Sequence, residues 1–466
     1  MKQILNYSLL IIITVFTSFI PNYQADSDFK IRIIASGLSD PWSIVVGPDQ
    51  ELWVSESKGY RILKINPENG AKMVVLDLNN ERQFPSFQQL KKEGRPVPQG
   101  GVMGLALHPQ FLKGKPYVYL SYVYKYLEEN RFLLKLVRYD FDFKKQQLRS
   151  PVIISDTIPA SNDHNGGRML IAPTARKNYL FYAVGDQGSG QFSNGGKRNK
   201  AQLKSSYEGK ILRFNLEVEK SGGWIPADNP ASPKRTAIWT SGHRNPQGLA
   251  FAIINHKERL YSSEHGPYSD DEINLIEKGR NYGHPLIIGY ADGNYDGLAA
   301  SVSDSKDYPG IWHTTYPIIS SEKRNADSIG KSFKAPALSF FPAAKITLNE
   351  LFKKAKAGEK TDWNAYAPSG IAVYQSDAIP EWNPSLLITS LKTGKLLRVK
   401  LNRDGSINPK TYAYAASRAR YRDVAVSLDG TKIYLATDSS AITSGPTAEN
   451  PKATSQRGCI LEMSIK

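Results

Sequence analysis

The richest concentration of chemically active residue types lies between residues 242 and 297. It opens with Gly-His-Arg-Asn-Pro-Gln-Gly at 242–248 and continues through Glu-His-Gly-Pro at 264–267 into Asp-Asp-Glu at 270–272. Hard cations such as Ca²⁺ prefer clustered oxygen ligands, including the backbone carbonyls of Gly-Pro turns. The segment therefore predicts a calcium site, although an acidic surface turn alone would also account for 270–272.

Two other polar strings stand just before apolar runs that are typical of strands. Asp163 and His164 precede one run, and Gln99 precedes another. A histidine with a carboxylate partner can act as a general base, since its ring nitrogen takes up a proton near neutral pH. Most Asp-His pairs are solvated turn residues, so this pair indicates a catalytic site only when it is considered together with the other polar strings.

Basic residues gather near the C-terminal end of the chain. Arg420 and Arg422 alternate along the start of a strand-like run, so both side chains point to one face, and Lys392 follows an earlier run. Two guanidinium groups and a lysine suit a ligand with several carboxylates. An exposed basic edge would show the same pattern.

The elements that must position these strings are six hairpins. Each has an apolar alternating run, a turn rich in Gly, Pro or Asp, and a second run rich in Tyr, Leu and Val, which is the signal of a β-hairpin. The pairs are 41–46 with 52–54, 104–107 with 117–120, 167–171 with 179–183, 248–251 with 260–262, 370–373 with 386–388, and 423–426 with 433–435.

Most hairpins are followed by a third strand-like segment, as at 62–65, 211–214 and 396–399. This is the strand order of a propeller blade, with one repeat for each blade. We therefore predict an all-β fold, a six-bladed β-propeller with long inter-strand insertions, chiefly 81–98, 216–236 and 298–360. Residues 346–358 are expected to form a short helix. Unrelated β-sandwich hairpins remain an alternative on the repeats alone.

Composition restricts the classes of function. The chain has 466 residues and a formal net charge of +16, but its basic residues are scattered and no helix-turn-helix or zinc pattern is present. We therefore expect no nucleic-acid partner and a surface that attracts anions. The only cysteine, Cys459, precludes an internal disulfide, so packing or metal binding must stabilise the fold.

The N-terminus has the pattern of an export signal. Lys2 is followed by an apolar stretch from Leu9 to Ile20 and then by Pro21, which is short for a membrane span. We expect residues 1–25 to be a signal peptide and 26–466 to be one catalytic propeller domain. The mature protein would be periplasmic or secreted, with no stable membrane span, while an uncleaved anchor remains the alternative.

These strings resemble the glucose/sorbosone dehydrogenase family, which includes the soluble glucose dehydrogenases that use pyrroloquinoline quinone (PQQ). The resemblance runs from residue 30 to the C-terminus in the same order. Its matching stretches are 163–164 with 167–168, Gly-Asp-Gln-Gly at 185–188, 242–248, 266–267 with 269–276, 390–392 and 420–423. The family fold is a six-bladed propeller, which agrees with the six hairpins.

The resemblance implies a sugar dehydrogenase that oxidises an aldose at the anomeric carbon to a lactone, with PQQ and Ca²⁺ as cofactors. His164 would be the general base with Asp163 orienting it, and Arg244 would stabilise charge near the reactive carbonyl of the quinone. The resemblance implies a further set of PQQ contacts, which is Gln99, Arg244, Asn245, His265, Asp271, Trp363, Lys392, Arg420 and Arg422.

The resemblance also implies the metal ligands. The backbone carbonyls of Gly266 and Pro267 would hold the Ca²⁺ bound to the cofactor, and Glu272, Tyr282 and Asp292 match positions of structural calcium. Electrons would pass to an external acceptor, a cytochrome or a quinone. A homodimer is left open.

Three positions depart from the family pattern near the expected substrate. The chain has His265 where the glucose enzymes have glutamine, Ala365 in place of a threonine, and Lys360 in place of a tyrosine. The sugar therefore need not be glucose. Two other functions stay open, a calcium-dependent lactonase or other hydrolase on a propeller and a non-enzymatic binding propeller. The retained basic residues and His164 argue against these two respectively.

Overall fold

The computed structural model describes most of the chain. The described residues are 22–23, 28–83, 99–128, 131–191, 194–219, 223–230, 234–301, 314–359, 361–440 and 455–466. Almost all of the predicted signal peptide and most of the predicted insertion 81–98 lie outside these ranges. Lys360 also lies outside them.

The strands form six antiparallel sheets of four strands each, and these sheets are the blades of a propeller. Strand β1 (Asn22–Tyr23) adds to the fifth blade in parallel. Blades one to three contain β3 (Pro41–Val46), β4 (Leu52–Glu56), β5 (Arg61–Ile65), β6 (Lys72–Asp77); β7 (Val102–Leu107), β8 (Tyr117–Glu128), β9 (Arg131–Asp142), β10 (Gln147–Ala160); and β11 (Met169–Thr174), β12 (Lys177–Val184), β13 (Lys210–Asn215), β14 (Ile238–Ser241).

The other three blades follow the same order along the chain. They contain β15 (Pro246–Ile254), β16 (Lys257–Glu264), β17 (Asp271–Ile276), β18 (Leu338–Phe340); β19 (Pro368–Tyr374), β20 (Ser385–Ser390), β21 (Leu396–Leu401), β22 (Ile407–Tyr414); and β23 (Tyr421–Val426), β24 (Lys432–Thr437), β25 (Ile460–Ile465), β2 (Phe29–Ala35). The prediction of an all-β, six-bladed propeller is confirmed.

The first strands of the six blades face one another around a central axis. Each contacts the first strand of the next blade, and β23 contacts β3 to complete the ring. A loop that enters a first strand and a loop that leaves the second strand lie at the same end of an antiparallel hairpin. Residues that precede the first strands and residues that follow the second strands therefore converge at one mouth of the ring.

The ring is closed by strands from the two ends of the chain. β2 forms the outer strand of the sixth blade by pairing with β25, in a register that sets Phe29 opposite Ile465. Arg32 on β2 reinforces this pairing, because its Nε and Nη2 donate to the two carboxylate oxygens of Glu462 at 2.7 and 3.0 Å. Since Cys459 is buried and free, strand pairing rather than a disulfide joins the two ends.

Aromatic side chains fill the wedges between blades. Trp53 in the first blade is fully buried and packs edge-on against Phe111 and Phe141 of the second blade, with ring centroids 5.6 and 5.0 Å apart. Trp382 lies similarly between Phe29 and Tyr414, at 5.3 and 4.7 Å. Large rings suit this role because they bury much apolar area and prefer tilted contacts, which explains the high aromatic content.

Replacing Trp53 with alanine is expected to lower the free energy of unfolding by about 3–5 kcal/mol, because the deletion leaves a cavity between two blades. Chemical denaturation of the purified protein measures this change. Leu428→Ala is the control, because Leu428 is 67% exposed and should alter stability by less than about 0.5 kcal/mol. Equal denaturation midpoints for the two variants would contradict this account of the packing between blades.

The insertions carry the few helices. The predicted helix at 346–358 is found at Lys345–Lys356, where it buries Leu348, Leu351 and Phe352. A second helix, Glu322–Ile329, was not predicted; Ser321 caps it by accepting from the Arg324 amide, and Gly330 ends it with a positive φ. Single-turn helices occur at Asn79–Glu81, Gly330–Ser332 and Pro380–Trp382.

Candidate functional site

The predicted site residues meet at one mouth of the ring. The expected base precedes β11, Arg244 precedes β15, Gly266 and Pro267 follow β16, and Lys392 follows β20. Hydrogen bonds join several of these loops directly, as between Arg244 and His265 and between Asp271 and the residues before β19. The sheet topology thus brings the separate sequence motifs together in space, as one constellation of side chains.

His164 occupies the centre of this constellation and is 4% exposed. Its Nδ1 lies 2.8 Å from Oδ1 of Asp186, which follows β12. Its Nε2 lies 2.9 Å from the side-chain nitrogen of Gln191. The backbone of His164 has φ 46°, an uncommon conformation for a residue other than glycine. Such backbone strain often occurs at functional sites.

Asp186 is the partner of the His164 Nδ1, whereas the sequence had suggested Asp163. The reason is geometric: Asp163 is adjacent in the chain, but its Oδ1 is 3.8 Å from the other ring nitrogen, Nε2. Asp163 instead accepts from the side chains of Gln99 at 2.7 Å and Gln191 at 3.1 Å. It therefore lies on the side of the ring that faces Gln191.

Asp186 is fully buried and collects several donors. Besides His164, its carboxylate oxygens contact Nε2 of His284 at 2.8 Å, the side-chain amide of Asn199 at 2.9 Å and the hydroxyl of Tyr316 at 3.0 Å. Burial alone would raise the pKa of Asp186, but the hydrogen bonds from the two histidines lower that pKa below its ordinary value. Asp186 is therefore an ionised acceptor.

The protonation of His164 follows from this partner. An ionised carboxylate only accepts hydrogen bonds, so Nδ1 of His164 must carry the hydrogen that points at Asp186. The lone pair of a neutral imidazole is then on Nε2, where the side-chain amide of Gln191 donates to it. A substrate hydroxyl that replaced Gln191 at this atom would meet a proton acceptor.

Arg244 is held beside this pair from both its backbone and its side chain. Glu264 accepts from the amides of Arg244 and Asn245, the latter at 3.1 Å. The guanidinium Nη2 donates to the Gln191 carbonyl oxygen at 2.9 Å, and Nη1 donates to the His265 backbone carbonyl at 3.3 Å. Gln191 thus links the guanidinium to Nε2 of His164.

Three neighbouring polar atoms at this mouth have no partner among the described residues. They are Nε of Arg244, Nδ2 of Asn245 and Nε2 of His265. Burial, followed by the charge of Arg244, lowers the pKa of His265 well below its ordinary value, so this ring is neutral. Buried polar atoms are nearly always hydrogen-bonded, so the three atoms fit a bound polar ligand with several oxygens.

The loop that follows β16 is built so that its backbone carbonyls can bind a cation. A Cβ at Gly266 would lie 1.8 Å from the carbonyl oxygen of Ser269, so only glycine allows this fold of the loop. Asp271 fixes the loop by accepting from the Gly266 amide at 3.0 Å and from the amides of Tyr366 and Ala367 at 2.7 and 2.9 Å. Burial raises the pKa of Asp271 to about 6.

The carbonyls of Gly266 and Pro267 accept no hydrogen bond from other described residues. Free carbonyl oxygens in a fixed loop are suitable Ca²⁺ ligands, so the loop fits the predicted ion. Asp271 itself is occupied by three backbone amides. Asp271 therefore holds together the loop that contains Gly266 and the loop that contains Tyr366, beside the predicted position of the cofactor.

The basic residues predicted to face carboxylates lie in the fifth and sixth blades, after β20 and at the start of β23. Lys392 donates to Asp362 at 3.0 Å and lies 4.9 Å from the ring centroid of Trp363. Arg422 makes a two-pronged ion pair with Asp438, at 2.8 and 2.7 Å, and Arg420 contacts the same carboxylate at 3.4 Å. Asp438 was not predicted, and it neutralises part of this charge.

The three residues predicted to bind structural calcium have partners within the fold. Glu272 accepts from Asn274 at 2.9 Å, and Asp292 accepts from the Asn294 amide at 3.1 Å. The Tyr282 hydroxyl is turned into the fold, where it donates to the Leu275 carbonyl at 2.7 Å. In the described ranges no three His, Cys, Asp or Glu side chains are grouped as a metal site.

Several residues of the constellation were missed in the sequence. Asp186 lies within the Gly-Asp-Gln-Gly string but was given no role, and His284, Tyr316 and Gln191 were not singled out. The position of Asp186 could have been noticed, because its polar string follows directly after the second strand of the third predicted hairpin. His284 lies within the polar segment 242–297 but was given no role, whereas Gln191 and Tyr316 come from long connections without periodicity, where sequence offers no indication of spatial neighbours.

Comparison with known proteins decides the family. The family described as Glucose / Sorbosone dehydrogenase matches residues 38–322 and 353–443. The chain belongs to this family. Membership confirms the predicted resemblance and the predicted class of enzyme, a sugar dehydrogenase.

Two curated relatives extend the likeness over most of the chain. The sequence is 34% identical over 444 residues to quinoprotein glucose dehydrogenase B of Acinetobacter calcoaceticus, covering 88% of this chain and 86% of that protein. It is 25% identical over 441 residues to the aldose sugar dehydrogenase YliI of Escherichia coli, covering 90% and 92%.

A solved structure supports the fold of this family member. The PQQ-bound form of the aldose sugar dehydrogenase from Streptomyces coelicolor matches with a TM-score of 0.61 at 24% identity, covering 94% of this chain and 98% of that one. Across the part of the chain that the structure describes, no helix is both long and apolar enough to cross a membrane.

Proposed function

We propose that this protein is a PQQ- and calcium-dependent dehydrogenase that oxidises an aldose at its anomeric carbon to the lactone. The observation that carries the proposal is the pairing of ionised Asp186 with His164, which leaves Nε2 of His164 as a proton acceptor beside Arg244. Family membership and the similarity to a quinoprotein glucose dehydrogenase support the reaction class.

His164 acts as the general base in this proposal. Its Nε2 takes the proton of the anomeric hydroxyl, and Asp186 stabilises the imidazolium that forms. Gln191 contacts Nε2 in the structure, and its side-chain amide must give way at this atom to the substrate hydroxyl. Asp163, which the side chains of Gln99 and Gln191 hold, borders the same space and contributes negative charge beside the protonated ring.

Arg244 stabilises negative charge that develops on an oxygen at the mouth. Its guanidinium is held by the His265 carbonyl, and its Nε has no partner among the described residues. A fixed donor in a water-poor site stabilises such charge more than a mobile one, because little reorganisation is needed. Arg244 is therefore both a contact of the cofactor and a catalytic group.

The cofactor, when bound, supplies the electron-accepting carbonyl that receives the hydride from the sugar. The residues proposed to hold it share unpaired polar atoms, positive charge or a stacking face at the mouth. They are Gln99, Arg244, Asn245, His265, Trp363, Lys392, Arg420 and Arg422, with Asp271 fixing the loops between them.

Calcium is proposed at the Gly266 and Pro267 carbonyls, where it would hold the cofactor and polarise it as a Lewis acid. For structural calcium, Glu272 and Asp292 stay proposals as side-chain ligands. Burial raises the pKa of Glu272 well above its ordinary value, which a nearby cation would oppose. Tyr282 could contribute only its backbone carbonyl, since its hydroxyl is bonded within the fold.

The remaining parts of the proposal follow the sequence. Residues 1–25 serve as a signal peptide, and 26–466 form one catalytic domain that acts in the periplasm or outside the cell. An external cytochrome or quinone accepts the electrons, and the protein acts as a monomer or homodimer. His265, Lys360 and Ala365 differ from the residues of the glucose enzymes at the same positions. We therefore propose aldoses in general, rather than glucose alone, as the substrate class.

The test is reconstitution of purified apo-protein in a dye-reduction assay with a panel of aldoses. Activity that requires both PQQ and Ca²⁺, with the lactone as product, is the expected result. If folded protein stays silent with every aldose but hydrolyses lactones with Ca²⁺ alone, the proposal fails and the hydrolase alternative takes its place. Silence with both panels would favour a binding propeller.

Removal of calcium is expected to abolish dye reduction and to weaken PQQ binding by at least about tenfold, because the proposed ion joins the Gly266 loop to the cofactor. Calorimetric titration of PQQ before and after chelation measures the binding directly. Addition of Ca²⁺ should restore both signals. Unchanged PQQ affinity in chelated protein would contradict the proposed calcium site.

A further inference from the structure

Tyr316 reaches the catalytic carboxylate from the long connection between β17 and β18. Its side chain is buried, and its hydroxyl lies 3.0 Å from Oδ2 of Asp186. Burial and the negative charge of Asp186 raise the pKa of Tyr316 well above its ordinary value, so the hydroxyl keeps its hydrogen and donates. A phenol in this state has no proton to move in the reaction. Any effect of its hydroxyl on the chemistry must therefore pass through Asp186.

The two oxygens of Asp186 face different neighbours. Oδ1 accepts from Nδ1 of His164 at 2.8 Å. Oδ2 accepts from Tyr316, from Nε2 of His284 at 2.8 Å and from the side-chain amide of Asn199 at 2.9 Å. A carboxylate beside an imidazole orients the ring only if the carboxylate itself is held. The donors on Oδ2 thus fix the direction in which Oδ1 meets the ring.

The Tyr316 ring is itself held by the loop that follows Asp186. A Cβ at Gly190 would lie 2.6 Å from Cδ2 of Tyr316, so the ring packs directly on the backbone of this loop. The Thr314 hydroxyl donates to the Gly190 carbonyl. The ring of His284 meets the phenol edge-on, with ring centroids 5.8 Å apart. These contacts leave the phenol little freedom to turn away from Asp186.

Other charged or titratable side chains also lie near the His164 ring. Besides Asp186, they are Asp163, Arg244 and His265. The Tyr316 hydroxyl makes its hydrogen bond to Asp186 and to none of these, within the part of the chain that the structure describes. Removal of this hydroxyl would therefore alter the carboxylate and leave the hydrogen bonds of the other groups in place.

We propose that Tyr316 is a positioning residue for the base, which holds Oδ2 of Asp186 so that Oδ1 stays directed at Nδ1 of His164. Its hydrogen bond also draws part of the carboxylate charge away from the imidazole, because a donor stabilises the charge to which it points. Protonation of the ring is then less favourable, and the base stays available at lower pH. This inference rests on the proposed function, in which His164 is the base.

The first test is the pH profile of kcat/KM in the variant Tyr316→Phe, which loses the hydroxyl and keeps the ring. Asp186 then presents more negative charge to His164, so the ring takes up a proton more readily and cannot act as a base. The acidic limb of the profile should move to higher pH by about 0.5–1 unit. A loss of kcat/KM that is uniform across pH would show a merely structural role and overturn the inference.

Tyr374→Phe is the matched control for this variant. Tyr374 is fully buried, and its hydroxyl donates to the Gly430 carbonyl at 2.8 Å, between the fifth and sixth blades. Its substitution removes a buried hydroxyl of the same kind without altering Asp186. The acidic limb should stay where it is in the unaltered protein. An equal shift of the limb in both variants would contradict a specific effect of Tyr316.

A second measurement follows the His164 ring without any turnover. The chain has seven histidines, so NMR of cofactor-free protein with labelled histidine can follow each ring, and His164→Asn identifies the signal of His164. The pH midpoint of this signal should rise in Tyr316→Phe. It should also rise in Asn199→Ala, which removes another donor from Oδ2 at a partly buried position and serves if Tyr316→Phe does not fold.

The two measurements distinguish the inference from the function on which it rests. An unchanged midpoint of the His164 signal in the folded variants would overturn the inference, even if the enzyme oxidises sugars. A raised midpoint in a protein that oxidises no sugar would support the role of Tyr316 towards His164 and refute the proposed function alone.

Discussion

Replacing His164 with asparagine is expected to lower kcat by about a thousandfold, within the range of general acid–base catalysis. The reason is that Nε2 of His164, whose proton-acceptor state is set by ionised Asp186, has no equivalent in asparagine. Asparagine tolerates the positive φ of this position, so the fold should persist. Dye reduction at saturating sugar, with PQQ binding followed by calorimetry, measures both effects.

His256→Asn is the matched control for this variant. His256 also has a positive φ, of 61°, but lies exposed in the turn between β15 and β16. It should keep full turnover. Asp186→Asn should resemble His164→Asn, because an amide can donate to Nδ1 and thereby place the ring hydrogen on Nε2. Near-normal kcat in either site variant would refute the assignment of His164 as the base.

Replacing Arg244 with methionine is expected to lower kcat by about 10²–10³-fold, the usual cost of removing a fixed donor to a developing oxyanion. Unlike His164→Asn, it should also weaken PQQ binding, since a hydrogen bond from a charged group is worth about 1.5–3 kcal/mol. The backbone amide of Arg244 keeps its bond to Glu264, so the loop should hold its position.

Two measurements separate this role from a structural one. The pH profile of kcat/KM should keep its shape, because His164 and Asp186 are untouched, while the PQQ dissociation constant rises. Arg403→Met, on an exposed turn, should change neither quantity. Weakened cofactor binding without loss of kcat would leave Arg244 as a binding residue and contradict its catalytic role.

The blades could be predicted because their signals are local. Each hairpin combines alternating apolar residues with a turn, as at 423–426 and 433–435, and six copies specify the fold. Antiparallel geometry then places the loops of successive hairpins at one end. The convergence of Asp163–His164, Arg244 and Gly266 therefore follows from the sequence once a propeller is accepted.

Side-chain partners could not be predicted in the same way. Asp163 is adjacent to His164 in the chain, yet Asp186, twenty-two residues away, bonds its Nδ1. Asp438 pairs with Arg422 across the hairpin of the sixth blade, and Tyr316 reaches Asp186 from a long insertion. Such contacts depend on loop paths and rotamers, which carry no periodic signal.

The basic residues show how much a partner changes an interpretation. Arg420 and Arg422 were expected to face cofactor carboxylates, and they do lie at the mouth. However, Asp438 already accepts from both. Their net positive potential is lower than the sequence suggests, and Lys392 is likewise paired, with Asp362, whose side chain is half exposed.

The central claim, oxidation at the anomeric carbon, is tested most directly by isotope substitution. Turnover of aldose deuterated at C1 is compared with turnover of aldose deuterated at C2, on enzyme reconstituted with PQQ and Ca²⁺. The account predicts slower turnover with the C1 label alone, together with a lactone product that retains no C1 deuterium. Equal rates for both labels with the C1 deuterium retained in the product would contradict it.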